Sequence, residues 1–124
     1  MRIPLPVSPG EFADRLTMLR LRLENGAEGD RAQALVNDLR MMDAQKKQYF
    51  PKLPRLQTLL DEIAGINSEI HRLQGRLADR KNIAADEISE LTELFFRLDD
   101  EKALIKAEID QFLSQRSSSA RAET

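Results

Sequence analysis

The stretch that decides the fold reads LQTLLDEIAGINSEIHRLQGRL at residues 56–77 and ISELTELFFRLDDEKALIKAEIDQF at residues 88–112. In both segments apolar residues recur at alternating spacings of three and four, and Lys102 interrupts the second series. This spacing places the apolar side chains on one stripe of a helix, and two such helices joined by a short turn pack antiparallel. The two series are Leu56, Leu59, Ile63, Ile66, Ile70, Leu73 and Leu77, and Ile88, Leu91, Phe95, Leu98, Ile105, Ile109 and Phe112.

A first, shorter helix is predicted near the N-terminus. Ser8 is a favourable N-cap, Pro9 suits the first helical position, and Glu11 can complete a capping box. The residues at 25–26, Asn and Gly, tolerate the left-handed conformation of a C-cap and end this helix. Its inward stripe consists of Phe12, Leu16, Leu19 and Leu23.

A second short helix is predicted to begin at Asp30, with Gln33 completing another capping box, and to end before Pro51. Pro54 then suits the first position of the third helix. The inward stripe of this second helix consists of Leu35, Leu39, Met42 and Tyr49.

The predicted fold is all-α. A long antiparallel, coiled-coil-like hairpin of helices 3 and 4, at residues 54–82 and 85–115, is buttressed by a shorter hairpin of helices 1 and 2. Because a helix rises 1.5 Å per residue, the long helices outreach the short ones, so part of the hairpin protrudes or is covered by another copy. A single domain spans residues 1–116, and the Ser-rich tail at 117–124 is predicted to be disordered.

Composition removes several classes of function. The chain of 124 residues carries a net charge of −2, no cysteine and one histidine, His71. Disulfides and thiolate metal sites are thereby excluded, and no Glu-x-x-His spacing supports a carboxylate-bridged metal pair. A single histidine also leaves little basis for Ser-His-Asp catalysis. We predict no metal and no cofactor.

The charge pattern and the hydropathy of the chain argue against nucleic acid and a membrane as binding partners. The bases at 72, 76, 80 and 81 face acids at 86, 87, 90 and 93 across the predicted hairpin, so no positive surface for nucleic acid is expected. No apolar run approaches the roughly 20 residues that span a bilayer, and the N-terminus has too few apolar residues for a signal peptide. A cytoplasmic location is therefore predicted.

Lys102 is the most informative polar residue, because it lies in the apolar stripe of helix 4. Pairing Leu77 with Ile88 and Leu56 with Ile109 puts it in the layer of Ile63, where an unpaired ammonium is costly. Helix 3 offers acids at positions 62 and 69, and helix 1 offers acids at positions 11 and 14. Three interpretations remain open: a polar site for an anion or a partner's charge, a buried ion pair that sets helix register, and a lysine that reaches solvent. The residues of the candidate site are Glu11, Asp14, Arg15, Asp99, Lys102 and Lys106.

Some apolar residues lie off the main stripes, namely Met18 and Leu21 on helix 1 and Leu94 and Leu104 on helix 4. Apolar side chains on two faces of one helix often mark an interface. They predict self-association as a two-fold dimer; the alternative is that they are scattered surface leucines.

Three segments carry a family resemblance. Residues 7–19, VSPGEFADRLTML, resemble the opening V-S-x-G-E-L-x-D-K-I-T-I-L of a bacterial family of unknown function. Residues 96–110, FRLDDEKALIKAEID, are similar to its Y-x-L-N-D-x-R-A-x-I-K-x-x-I-N, and residues 66–70 to its V-N-x-x-L. The chain departs from the family at His71, where a Trp is usual, and in its Ser-rich end.

Members of that family resemble accessory proteins encoded near glycosyltransferase and surface-polysaccharide genes. The resemblance therefore implies an all-α fold and a role near surface-polysaccharide synthesis, but it implies no particular reaction. We predict a non-enzymatic helical interaction or scaffold protein that self-associates beside envelope-polysaccharide enzymes. The alternative is a small all-α enzyme or a sugar-nucleotide or anion-binding protein with a polar site between helices 1 and 4. A cleft lined by convergent polar groups favours the alternative, and a closed bundle favours the interaction protein.

Overall fold

The computed structural model describes the backbone of residues 7–26 and 28–123, and the side chains of these residues except 80 and 117–123. Within these ranges the chain is all-helical and contains no strand, which confirms the predicted fold class. The elements are α1 (Pro9–Glu24), α2 (Gly29–Tyr49), α3 (Pro54–Ala78), a 3₁₀ turn (Arg80–Asn82) and α4 (Ala85–Glu123).

The ends of α1 follow from its sequence. The Ser8 hydroxyl accepts a hydrogen bond from the backbone N–H of Glu11 at 3.2 Å, and Pro9 occupies the first helical position. Asn25 caps the other end, and Gly26 has a φ of 98°. The reciprocal half of the predicted capping box does not form, because the carboxylate of Glu11 bonds to side chains on α1 and α4 instead.

The predicted N-cap of α2 is wrong. The helix begins at Gly29, whose φ of 66° suits glycine, and its N-cap is Glu28. Asp30 therefore lies inside the first turn, where a carboxylate interacts favourably with the helix dipole. Gln33 donates to Asn37 instead of completing a capping box.

Two helix ends also differ from prediction. α3 stops at Ala78, and the 3₁₀ turn at residues 80–82 occupies positions that were predicted to be helical. α4 continues to Glu123, beyond the predicted end at residue 115, because no glycine or proline interrupts it. The helix thus includes residues 117–123 of the segment for which disorder was predicted.

Ion pairs near both ends of the long hairpin agree with its predicted antiparallel pairing. An ion pair joins Arg76 and Glu87 at 3.0 Å near the turn, and another joins Arg55 and Glu108 at 2.8 Å near the opposite end. Each pair lies one residue before a predicted seam pair, 77 with 88 and 56 with 109. α3 and α4 therefore run antiparallel along their shared length.

The core lies where α1 packs against the hairpin. α3 and α4 share the largest contact, α1 lies against both, and α2 packs mainly against α1 without burying any residue fully. The last buried residue of α3 is Leu73, so the hairpin protrudes on the side of its turn. The buried apolar residues are Phe12, Ala13, Leu16, Leu19, Phe50, Leu56, Leu59, Leu60, Ile63, Ile70, Leu73 and Ile109. No described helix is both long and apolar enough to cross a membrane.

Candidate functional site

A polar network lies inside this core, centred on Asn67 of α3, which has no exposed surface. The Asn67 amide donates to Asp14 Oδ1 at 2.9 Å and to Thr17 Oγ1 at 2.7 Å, and its oxygen accepts from Lys102 Nζ at 3.2 Å. The Thr17 hydroxyl in turn donates to the backbone oxygen of Asp14 at 2.9 Å. A single amide thus links α1, α3 and α4.

Two ammonium groups from α4 meet two carboxylates from α1 beside this amide. Lys102 Nζ lies 3.4 Å from Asp14 Oδ1, and Lys106 Nζ lies 3.6 Å from Asp14 Oδ2. Lys106 also hydrogen-bonds to Glu11. The exposed fraction rises from 13% for Asp14 and 16% for Lys102 to 27% for Lys106 and 33% for Glu11. The network therefore carries no net charge, and its outer edge reaches solvent.

The outer pair holds its charges firmly. The hydrogen bond from Lys106, assisted by Arg15, lowers the pKa of Glu11 below its ordinary value of 4.5. The same hydrogen bond to Glu11 raises the pKa of Lys106 above its ordinary value of 10.5. Both groups are consequently ionised throughout the neutral range.

Gly10 brings α1 close enough to α4 for these contacts. A Cβ placed on Gly10 would lie 2.8 Å from the Cα of Lys106, a distance that real side chains do not adopt. The Gly10 N–H donates to Asp110 Oδ1 at 2.7 Å, which ties the start of α1 to α4. This close approach of the backbones places Glu11 and Asp14 within reach of Lys106.

The structure brings four of the six predicted site residues together. Glu11, Asp14, Lys102 and Lys106 join the network directly. Arg15 is exposed and touches the network only through Glu11, at 3.1 Å. Asp99 is exposed, and within the described part of the chain it forms no hydrogen bond or ion pair.

The sequence prediction missed Asn67 and Thr17. Their signal is present in the spacing, since Asn67 belongs to a second heptad series on α3 that is offset from the seam facing α4. Thr17 follows Asp14 by three residues, which places it on the same face of α1. The second series is Leu56, Leu60, Ile63, Asn67 and Ile70.

The network is satisfied by its own members. Among the described side chains, no buried nitrogen or oxygen lacks a hydrogen-bond partner, and no cluster of His, Asp and Glu could hold a metal ion. Of the four surface grooves prominent on the described part of the chain, only one is lined by a network residue, Thr17. Apart from Thr17, the network residues line none of these four grooves, and their hydrogen bonds connect α1, α3 and α4.

The four predicted interface residues are unequally exposed. Met18, Leu21 and Leu94 are half-buried, whereas Leu104 is 66% exposed. Phe96, which the prediction did not include, is 62% exposed and packs edge-on against Phe95.

No family model matches the chain, and neither a curated protein nor a solved structure matches it in the comparisons made. The family resemblance of residues 7–19, 66–70 and 96–110 stays a prediction.

Proposed function

We propose that the protein is a non-enzymatic helical interaction protein that works as a two-fold dimer in the cytoplasm, beside enzymes of envelope-polysaccharide synthesis. The observation that carries the non-enzymatic part is the closed polar network, whose central residue, Asn67, has no exposed surface. The setting beside polysaccharide enzymes rests on the family resemblance alone.

The network is poorly suited to catalysis or anion binding. A general acid–base pair needs two groups whose environments push their pKa values apart and whose atoms reach a substrate. Here both oxygens of Asp14 face lysines, and Glu11 and Lys106 hold each other in their ordinary charged forms. An incoming anion would have to displace these carboxylates from both lysines. The enzyme or anion-binding alternative therefore receives no support from this site.

The proposed dimer contact is an apolar band near the end of α1. Because α1 and α4 are antiparallel and Asp14 meets Lys102, the residues four and seven further along α1 lie level with positions 98 and 95 of α4. Leu21 therefore lies at the level of Leu94 and Phe96, and Met18 lies about one turn away, at the level of Leu98. One exposed and three half-buried apolar side chains within about one turn of each other favour a protein interface over scattered surface residues.

Leu104 is not part of this band. It lies about 15 Å from Leu94 along α4, since ten residues separate the two. It lines a different groove, whose rim is acidic.

Light scattering tests the dimer on the full chain at tens of micromolar. We expect twice the monomer mass of 14.2 kDa for the wild type and the monomer mass for Phe96→Ser. Met41→Ser is the matched control, because Met41 is a similarly exposed apolar residue, at 58%, that lies on α2 and is not one of the band residues, so this variant should remain dimeric. A monomeric wild type contradicts the dimer.

The cellular part of the proposal needs a separate experiment. Loss of the gene should reduce the amount of surface polysaccharide, and the wild type and Met41→Ser should restore it while Phe96→Ser does not. Unchanged polysaccharide in the deletion strain contradicts the setting without affecting the dimer.

A further inference from the structure

The outer face of the α3–α4 hairpin carries a groove with a volume of about 480 Å³. Its floor is apolar: Ile66, Leu98 and Ile105 are half-buried there, and Leu104 projects at one edge. The groove is lined by Glu62, Gly65, Ile66, Glu69, Leu98, Glu101, Leu104, Ile105 and Glu108. We call it the acidic groove because its charged lining residues are all glutamates.

Gly65 lines the acidic groove and contributes no side chain to it. A Cβ placed on Gly65 has no other atom within 4 Å, so this part of α3 is open. A glycine inside a helix is less favourable than alanine, and no close helix contact explains its presence here. An occupant from outside the chain would account for it.

The rim of the groove is negatively charged. Arg72 pairs with Glu69 at 2.7 Å and Arg55 pairs with Glu108 at 2.8 Å, so two of the four glutamates are partly neutralised. Glu62 and Glu101 form no ion pair among the described residues. Among the residues that the structure describes, no lysine or arginine lines the groove to offset them.

We propose that the acidic groove binds a basic amphipathic helix of a partner protein. The lining residues of α4 run from Leu98 to Glu108, about 15 Å or nearly three helical turns. Apolar side chains repeating at spacings of three and four on such a helix would lie on Leu98, Leu104 and Ile105, as in other helix-in-groove complexes. Lysines or arginines beside that stripe would pair with Glu62 and Glu101. This binding goes beyond the proposed dimer, which uses the band at Phe96.

A second copy of the chain fits the groove poorly. In a two-fold dimer the same patch meets itself, so this face would bring the glutamates of both copies together. Like charges placed opposite one another in an interface are costly. A positively charged occupant would instead pair with the glutamates of the rim, and this favours a basic partner.

The test uses a labelled synthetic peptide of about 18 residues, with leucine on one helical stripe and lysine elsewhere, and measures its binding to the full chain by fluorescence anisotropy. We expect one peptide to bind per chain, more weakly as salt is added. Exchanging both unpaired acids, Glu62→Gln with Glu101→Gln, should weaken binding about tenfold. A peptide with the same leucines and glutamate in place of lysine should not bind measurably.

Gly65→Leu provides a second variant, because it places a bulky side chain in the lining of the acidic groove while a better helix former replaces glycine. Gly65 also lines a second groove beside Thr17 and Ser68, so loss of binding is assigned to the acidic groove only when Glu62→Gln with Glu101→Gln weakens binding too. We expect Gly65→Leu to abolish peptide binding and to leave the fold intact by circular dichroism. Gly75→Leu is the matched control: it makes the same exchange on the same helix, its Cβ also meets no atom within 4 Å, and it lines none of the four grooves described. This control should bind the peptide as the wild type does.

The proposal is overturned if Gly65→Leu and Gly75→Leu bind the peptide equally, since the peptide then lies elsewhere. Equal binding of the glutamate peptide overturns it too, because the acidic rim then has no role. If Gly65→Leu instead turns a dimeric wild type into a monomer, the occupant is a second copy and not a basic partner. The Phe96→Ser result separates that outcome from failure of the proposed dimer band.

Discussion

Replacing Asn67 by leucine should lower the free energy of unfolding by about 2–3 kcal/mol. The two side chains are similar in size, so the change removes hydrogen bonds without leaving a large cavity. Three bonds disappear: to the Asp14 carboxylate, to the Thr17 hydroxyl and from the Lys102 ammonium. Bonds to charged groups contribute about 1.5–3 kcal/mol each and neutral ones about 1 kcal/mol. Because Asp14 and Lys102 still pair with each other, the loss falls well below that sum.

Urea unfolding followed by circular dichroism measures this loss. With a denaturant slope of about 1.5 kcal/mol/M, the urea midpoint of Asn67→Leu should fall by roughly 1.3–2 M. Gln74→Leu is the matched control, since it removes an amide from an exposed position of the same helix and should change stability by no more than about 0.5 kcal/mol. A change equally small in Asn67→Leu would refute a stabilising role for the network.

A combined variant tests whether the network acts as one unit. Asp14→Leu, Asn67→Leu and Lys102→Met together replace the buried polar centre with apolar groups. Replacing a whole buried ion pair by apolar residues is often neutral or stabilising, whereas removing one member leaves a stranded charge. The combined variant should therefore lose less stability than the sum of its three single substitutions. Strictly additive losses would contradict this coupling.

Two further predictions concern the edge of the network. Gly10→Ala should lower the free energy of unfolding in urea by about 1–3 kcal/mol, because the added Cβ meets the backbone of Lys106. Gly75→Ala, with open space around its Cβ, should raise the free energy of unfolding by up to about 1 kcal/mol. Equal effects of the two variants would contradict the close approach of α1 and α4. Glu11→Gln should cost no more than about 1 kcal/mol at neutral pH, since the pair with Lys106 is partly exposed. Because the folded-state pKa of Glu11 is lowered, its contribution is present above 4.5 and is lost as the pH falls through the folded pKa, so thermal melting of the variant and the wild type should converge in acid. A difference that persists in acid would show that charge is not its source.

The α3–α4 hairpin was predictable because the sequence signals that define it lie within the two helices themselves. Heptad spacing fixes which faces of α3 and α4 meet, and proline at position 54 marks where α3 begins. The position of α1 on the hairpin was harder to predict, because α3 packs against both α4 and α1 and contacts them through two different, overlapping stripes of residues. The predicted stripe ran through Ile66 toward α4, while the stripe toward α1 runs through Asn67. A single periodic series cannot separate two overlapping seams offset by one residue.

The candidate site was predictable in part for an equally local reason. Lys102 interrupts an apolar series, so it required a buried partner, and the acids of the first motif were the available ones. Asp99 does not join them: its side chain is exposed and forms no ion pair among the described residues. Which acid meets which lysine depends on the height of α1 along α4. That height is set by the contact of Gly10 with Lys106, a tertiary feature that spacing within one helix does not reveal.

The polar network also explains why α1 packs at this position along α3 and α4. Sliding α1 by one turn would move Asp14 from Asn67 toward Ile63 or Ile70, both of which are buried and apolar. A carboxylate left there would lose its partners at a high cost, so neighbouring registers are strongly disfavoured. Charges inside the molecule thus cancel and hold the helices in register, whereas Glu62 and Glu101 outside remain uncancelled around an apolar floor. The two roles should separate by mutation. Asn67→Leu should reduce stability without changing the peptide affinity of the folded chain, and Gly65→Leu should abolish that affinity without reducing stability.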